Sequence, residues 1–189
     1  MLKAQDRHFT ISKVMIMTMI IAMAGSTICG CTQSPAQEQM ETAGKLLSAG
    51  RHTDAIKEYR EVIKLDGKNA DAYYSLGLAL QKANVWQDAL KQYKKALEIN
   101  PKHEDAKAQI TQINSAMKDC SQQIDRARQG INMQPLNNGN HMNLGTGLMQ
   151  AGSLTDARNE FRTVLNLDPN NDDAKQQYNF LEWYLKNPG

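Results

Sequence analysis

The stretch DAIKEYREVIKLDG at residues 54–67 returns as DALKQYKKALEINP at 88–101 and as DARNEFRTVLNLDP at 156–169. Ala55 and Tyr59 recur as Ala89 and Tyr93, 34 positions on, and as Ala157 and Phe161, a further 68 positions along. A fixed period of this size marks an array whose units each bury their apolar face only against their neighbours. Counted from residue 36, the units run 36–69, 70–103, 104–137 and 138–171, and residues 172–189 follow.

The columns of this alignment describe two helices in contact. Position 8 of the unit is small (Ala43, Gly77, Thr111, Gly145), and so is position 20 except in the third unit (Ala55, Ala89, Gln123, Ala157). Large residues surround that crossing, with Leu76, Ile110 and Leu144 at position 7 and Tyr59, Tyr93 and Phe161 at position 24. Small and large side chains in alternation let helices interdigitate without voids. Positions 28 (Ile63, Leu97, Ile131, Leu165) and 30 (Leu65, Ile99, Met133, Leu167) are apolar throughout. Gly67, Pro101, Pro135 and Pro169 end the second helix, since proline cannot continue a helix and glycine readily leaves one.

This pattern resembles the tetratricopeptide repeat, a helix-turn-helix unit. The resemblance implies an all-α, right-handed solenoid of four repeats plus a C-terminal capping helix at 172–189, nine helices in total. In the cap, Tyr178, Leu181 and Leu185 form a stripe suited to cover the open end of repeat four, and Pro188 ends it. Repeat three is degenerate: Gln123 takes a small position, Ala127 an aromatic one, and Gly130 the site of Val62, Ala96 and Val164. Drift held in place by neighbouring repeats is one explanation, and a hinge or partner notch is the other. A bend is expected there, with a turn at Asn137 to Asn140.

In this family the first helices of the repeats line a concave groove for partner peptides or helices. Carried over by position, the groove comprises Met40 and Leu47 from repeat one, and Tyr74, Leu78, Gln81 and Lys82 from repeat two. Repeat four adds Met142, Thr146, Met149 and Gln150, and the cap adds Phe180, Trp183 and Tyr184. An apolar, methionine-rich groove of this kind suits an amphipathic helix or an extended apolar segment. The lysine and asparagine clamp with which the family's chaperone adaptors hold a terminal carboxylate is missing. Met40 and Gly44 stand where it would begin, and Lys82 is the groove's surviving cation.

The first thirty residues belong to another population. Lys3, Arg7 and Lys13 precede an uncharged run from Val14 to Ala24, and five of the ten methionines lie here. A basic start followed by an apolar run is the pattern of a secretory signal. Ile28-Cys29-Gly30-Cys31 resembles the lipobox of bacterial lipoproteins, with Cys29 where that family usually has Ser, Ala or Thr. The resemblance implies a signal peptide at 1–30, cleavage before Cys31, acylation of Cys31, and a linker at 31–35. An uncleaved anchor and an ordinary signal that releases a soluble protein are the competing readings. All three place the rest of the chain outside the cytoplasm, because basic residues precede the apolar run. Thr32, not being aspartate, fits outer-membrane sorting in the lipoprotein family.

Composition narrows function further. The 189 residues are 41% hydrophobic and 22% charged, which excludes a polytopic membrane protein and wholesale disorder. Residues 1–30 hold three of the 22 basic and one of the 20 acidic residues, so the remainder is neutral, 19 against 19. A neutral body lacks the counterion-release drive of a nucleic-acid binder. His8, His52, His103 and His141 sit in unrelated contexts; His52 shares a packing column with Trp86, Cys120 and Leu154, and His103-Glu104-Asp105 reads as a helix start. No HExxH, Walker-type glycine loop, GxSxG or paired CxxC is present. The reading is therefore a non-enzymatic scaffold with neither cofactor, metal nor small-molecule substrate. It would be lipid-anchored in the bacterial envelope, face the periplasm from the outer membrane, and bind a protein partner, as such lipoproteins do in assembling pili, secretins or outer-membrane proteins. A membrane-tethering spacer or self-associating element is the alternative.

Overall fold

The computed structural model describes residues 34–188, so the expected signal peptide at 1–30 and Cys31 lie outside the described residues. Eight helices follow one another: α1 Pro35–Ser48, α2 His52–Leu65, α3 Ala70–Lys82, α4 Trp86–Ile99, α5 Glu104–Met133, α6 Asn138–Ala151, α7 Leu154–Leu167 and α8 Asp172–Lys186. The fold is all-α.

The period sets the helix ends. Asn69, His103, Asn137 and Asn171 occupy one column, and each accepts a hydrogen bond from a backbone N–H three residues on, at 3.0, 3.3, 3.3 and 2.9 Å. Each thereby satisfies a donor left over at the start of a helix. His103 is thus a cap, as its helix-start context implied. The second helices end at Leu65, Ile99, Met133 and Leu167, two residues before the glycine or proline that stops them.

Three hairpins, α1–α2, α3–α4 and α6–α7, pack most closely. A Cβ built on Gly77 would lie 2.5 Å from the Tyr93 ring, and one on Gly145 would lie 2.8 Å from the Phe161 ring. The aromatic at position 24 therefore presses into the small residue at position 8. Ala55, Ala89 and Ala157 are fully buried beside it. Position 28 is half-buried in every repeat, but position 30 is exposed in every repeat, up to 83% at Met133, so its apolar character does not mark core.

Repeat three departs from the expected helix-turn-helix. Helix α5 is continuous over 30 residues, and the described residues hold eight helices instead of nine. The cause lies in the turn column. Gly50, Asn84 and Gly152 break the other repeats in the left-handed region, with φ of 73°, 62° and 89°. Repeat three has Lys118 at this position. A side chain raises the cost of left-handed backbone by about 1–2 kcal/mol, whereas glycine adopts it freely and asparagine tolerates it. Lysine instead propagates the helix.

Chain reversal is postponed to the turn Gln134–Asn137, and α6 returns antiparallel to the second half of α5. Gly130 meets Asn140 and Ile124 meets Gly147, while the Cys120 thiol donates to the Gly147 carbonyl at 3.2 Å. The Cys120 column is packing, as read, and burial pushes its thiol pKa up. Gln123 and Thr111, expected at a helix crossing within repeat three, are both exposed. The end of α6 reaches repeat two, where Gln150 donates to Asn84 at 3.2 Å and Gly152 abuts Gln87.

Candidate functional site

The helix-A residues predicted to line a groove divide into two sets. Met40, Leu47, Tyr74, Leu78 and Gln81 on α1 and α3 are half-buried, and Lys82 is exposed. These helices touch each other as well as their own hairpin partners, so one surface carries residues from both. Tyr74 is held from below: its ring lies 5.7 Å from that of Tyr93 and 4.7 Å from the His103 imidazole. Tyr93 in turn donates to the Gln81 side chain at 2.6 Å. Burial, then the nearby charge of Asp105, raise the Tyr74 pKa, so the phenol stays neutral over the physiological range. The patch therefore presents aliphatic and aromatic surface on a rigid support, with a cation at one end. His52 lies toward the same end, and burial, with the Lys82 charge, depresses its pKa below the ordinary imidazole value.

The second set is corrected by the structure. Met149 is fully buried and Gln150 nearly so, because α6 ends against α4 and the turn of repeat two. Phe180 and Tyr184 are buried as well, leaving Trp183 half-buried, and Met142 and Thr146 half-buried on α6. The cap does cover repeat four, with Leu181 fully buried and Arg158 of α7 paired to Glu182 at 3.1 Å. Its other face, however, lies on repeats one and two. Tyr184 donates to Asp88 of α4 at 2.8 Å, and Arg60 of α2 donates to the Asn187 carbonyl at 2.8 Å. Lys57 and Arg60 lie 5.2 and 5.7 Å from the centroid of the Trp183 ring. In an open array each repeat meets only its neighbours; here the cap closes onto the first two repeats.

Among the described residues no cluster of three or more His, Cys, Asp or Glu side chains could hold a metal ion. Among them, too, no helix is long and apolar enough to cross a membrane.

Two family profiles match the sequence, one described as TPR repeat over residues 45–84 and one as Tetratricopeptide repeat over residues 70–103. Over residues 45–103 the sequence is thus similar to tetratricopeptide repeats. The second match coincides with repeat two as read from the period. Solved structures similar to the chain include MamA from Desulfovibrio magneticus RS-1, at 17% identity over 82% of this chain and 88% of that one, with a TM-score of 0.44. YrrB, described as a TPR protein with an unusual peptide-binding site, is 20% identical over 81% and 79%, with a TM-score of 0.42. The second TPR domain of human RPAP3, solved with an HSP70 peptide, is 18% identical over 78% and 98%, with a TM-score of 0.33. The sequence matches none of the curated proteins with which it was compared. The candidate binding surface is the helix-A face of repeats one and two. Of the residues carried over from the sequence, Met149, Gln150, Phe180 and Tyr184 are withdrawn from any such surface by burial, because the period carries no sign of the closure.

Proposed function

We propose that this chain is a lipid-anchored scaffold of the bacterial cell envelope that binds a protein segment stoichiometrically on the helix-A face of repeats one and two. The observation that carries the binding surface is the half-buried patch of Met40, Leu47, Tyr74 and Leu78 on two mutually packed helices. Adaptable methionine and a supported aromatic are what partner-binding surfaces use as anchors. The anchor reading rests on sequence: the basic start, the apolar run and the lipobox-like residues ending at Cys31. A body anchored in this way would face the periplasm, from the outer membrane on the strength of Thr32, and would serve assembly of pili, secretins or outer-membrane proteins. Peptide complexes are known for solved tetratricopeptide structures such as that of human RPAP3.

Two measurements test the proposal. Metabolically supplied palmitate should label the chain, and Cys31→Ser should abolish the label; label that survives the substitution removes the anchor at this residue. A photo-crosslinking residue at Leu47 or Leu78 should capture one envelope protein that the same residue at exposed Lys94 does not. Equal capture at all three sites would contradict a helix-A binding face. Self-association is the second reading, favoured by the exposure of Met133 and Leu136, 83% and 78%, at the α5–α6 turn. Concentration-dependent mass in sedimentation, lost in Met133→Ser with Leu136→Ser, would support it.

A further inference from the structure

The closure of the cap onto repeats one and two encloses a cleft of about 820 Å³ between α2, α4 and the end of α8. Its base is α3, from which Tyr73, Leu76 and Leu80 line it, positions other than the Tyr74, Leu78 and Gln81 of the helix-A patch. Half-buried Ile63 and Tyr73 form an apolar floor over the buried Leu76 and Leu80, and Trp183 and Tyr184 form a wall. Its charged lining comprises Lys57, Arg60, Lys64 and Lys91 against Glu61 and Asp88, a cationic excess of two.

The distribution of that charge is specific. Lys57, Arg60 and Lys64 are spaced three and four apart, so they share one face of α2 and form a stripe about 10 Å long at 1.5 Å per residue. Lys64 is paired with Glu61 and Lys91 with Asp88, each at 2.6 Å, and Lys57 reaches Asp54 at 3.4 Å. Arg60 has no carboxylate partner among the described residues. It spends one N–H on the Asn187 carbonyl and lies 5.7 and 5.4 Å from the Trp183 and Tyr184 ring centroids. A guanidinium held by aromatic rings keeps further N–H donors for a carboxylate, which it binds in a planar fork.

We infer that this cleft binds a short, extended peptide segment in which carboxylate and aliphatic side chains alternate. Aliphatic groups settle on Ile63, Tyr73 and Trp183, and the carboxylates engage Arg60 first and Lys57 or Lys64 next. Successive same-face side chains of an extended strand are about 6.8 Å apart, so two carboxylates fit along the stripe. A fatty acid would offer one carboxylate to a wall that carries several cations. The cleft volume lies within the range of ligand pockets, roughly 300–1,000 Å³.

The test is fluorescence anisotropy on the 189-residue chain with a labelled hexapeptide of alternating leucine and glutamate. The probe should bind, and more weakly as salt is raised. A leucine–glutamine peptide of the same length should bind at least about tenfold more weakly, and Arg60→Gln should cost about tenfold. Lys57→Gln with Lys64→Gln, at exposed positions, should cost a few-fold and guards against a folding defect in the first variant. Tyr74→Ala, on the helix-A face, should leave the affinity unchanged. Loss of binding in Tyr74→Ala but not in Arg60→Gln would move the peptide to the helix-A face, overturning this inference while leaving the proposed function standing. Equal binding of the two peptides, no binding at millimolar probe, or displacement of the probe by micromolar dodecanoate would also overturn it.

Discussion

Repeats two and three share a period, a capping column and a terminal proline, yet one is a hairpin and the other a rod. Three columns distinguish them. Repeat two has Asn84 at the turn, in the left-handed region, and Tyr93 to press against Gly77. Repeat three has Lys118 at the turn, and Ala127 with Thr111 in the pressing columns. A hairpin there would need a lysine in costly backbone and would leave a hole where a ring belongs. The continuous helix avoids both and buries Cys120, Ile124 and Ala127, the first two against α6. Turn chemistry and knob size decide together whether 34 residues fold back.

The largest effect expected from this comparison is at the knob contact. Gly77→Val puts a side chain where the Tyr93 ring already stands, and should cost about 2–3 kcal/mol as overpacking. Thr111→Val, the same column in repeat three but exposed, should change stability by less than about 0.5 kcal/mol. Urea unfolding of both variants measures the contrast, and similar losses would mean that repeat three has the same internal crossing as repeat two. Smaller is the effect at the turn. Gly152→Lys should cost about 1–2 kcal/mol through left-handed backbone, aggravated by the approach of its Cβ to Gln87 at 3.0 Å. Lys118→Ala, in mid-helix, should be neutral or stabilising by up to about 0.5 kcal/mol. A lysine tolerated at 152 would remove the turn-column explanation.

Which of these features could be read in advance follows from what a period encodes. Repeats one, two and four, their stop signals and the stripe through Leu181 are nearest-neighbour features, and nearest-neighbour packing is what recurs every 34 residues. The fused helix was also legible, once the turn column Gly50, Asn84, Lys118 and Gly152 is read together with the missing knob at Ala127. Burial of Phe180, Tyr184, Met149 and Gln150 was not legible. It depends on contacts between residues as far apart as Arg60 and Asn187, which exist only once α5 has redirected the chain. Position 30 misled for a simpler reason: a helix end exposes its last residue, whatever its polarity.

The smallest prediction concerns pH, at the point where the tip of the rod meets the hairpin that follows it. His141 is buried, with Nδ1 2.7 Å from Glu160 and Nε2 2.9 Å from the Pro135 carbonyl. Both partners accept, so the imidazolium donates to each. Burial opposes that charge, but the Glu160 hydrogen bond, the Pro135 carbonyl and the Glu160 charge outweigh it and raise the pKa above the ordinary 6.5. A raised folded-state pKa means that the contribution is complete below about 6.5 and is lost as pH rises through the folded value. The gap in thermal midpoint between the native chain and His141→Gln should therefore shrink from pH 5.5 to 8.5. A constant gap would contradict a charged His141 pin.

The path of the chain depends on α5 being one helix, and one distance tests that. Spin labels at Lys107 and Gln129, both exposed and 22 residues apart, should be about 33 Å apart along a continuous helix at 1.5 Å per residue. Double electron–electron resonance in a background lacking the native cysteines reads this directly. A single distribution centred near about 33 Å supports the rod; one centred near the roughly 10 Å spacing of packed helices would show that repeat three folds back as a hairpin.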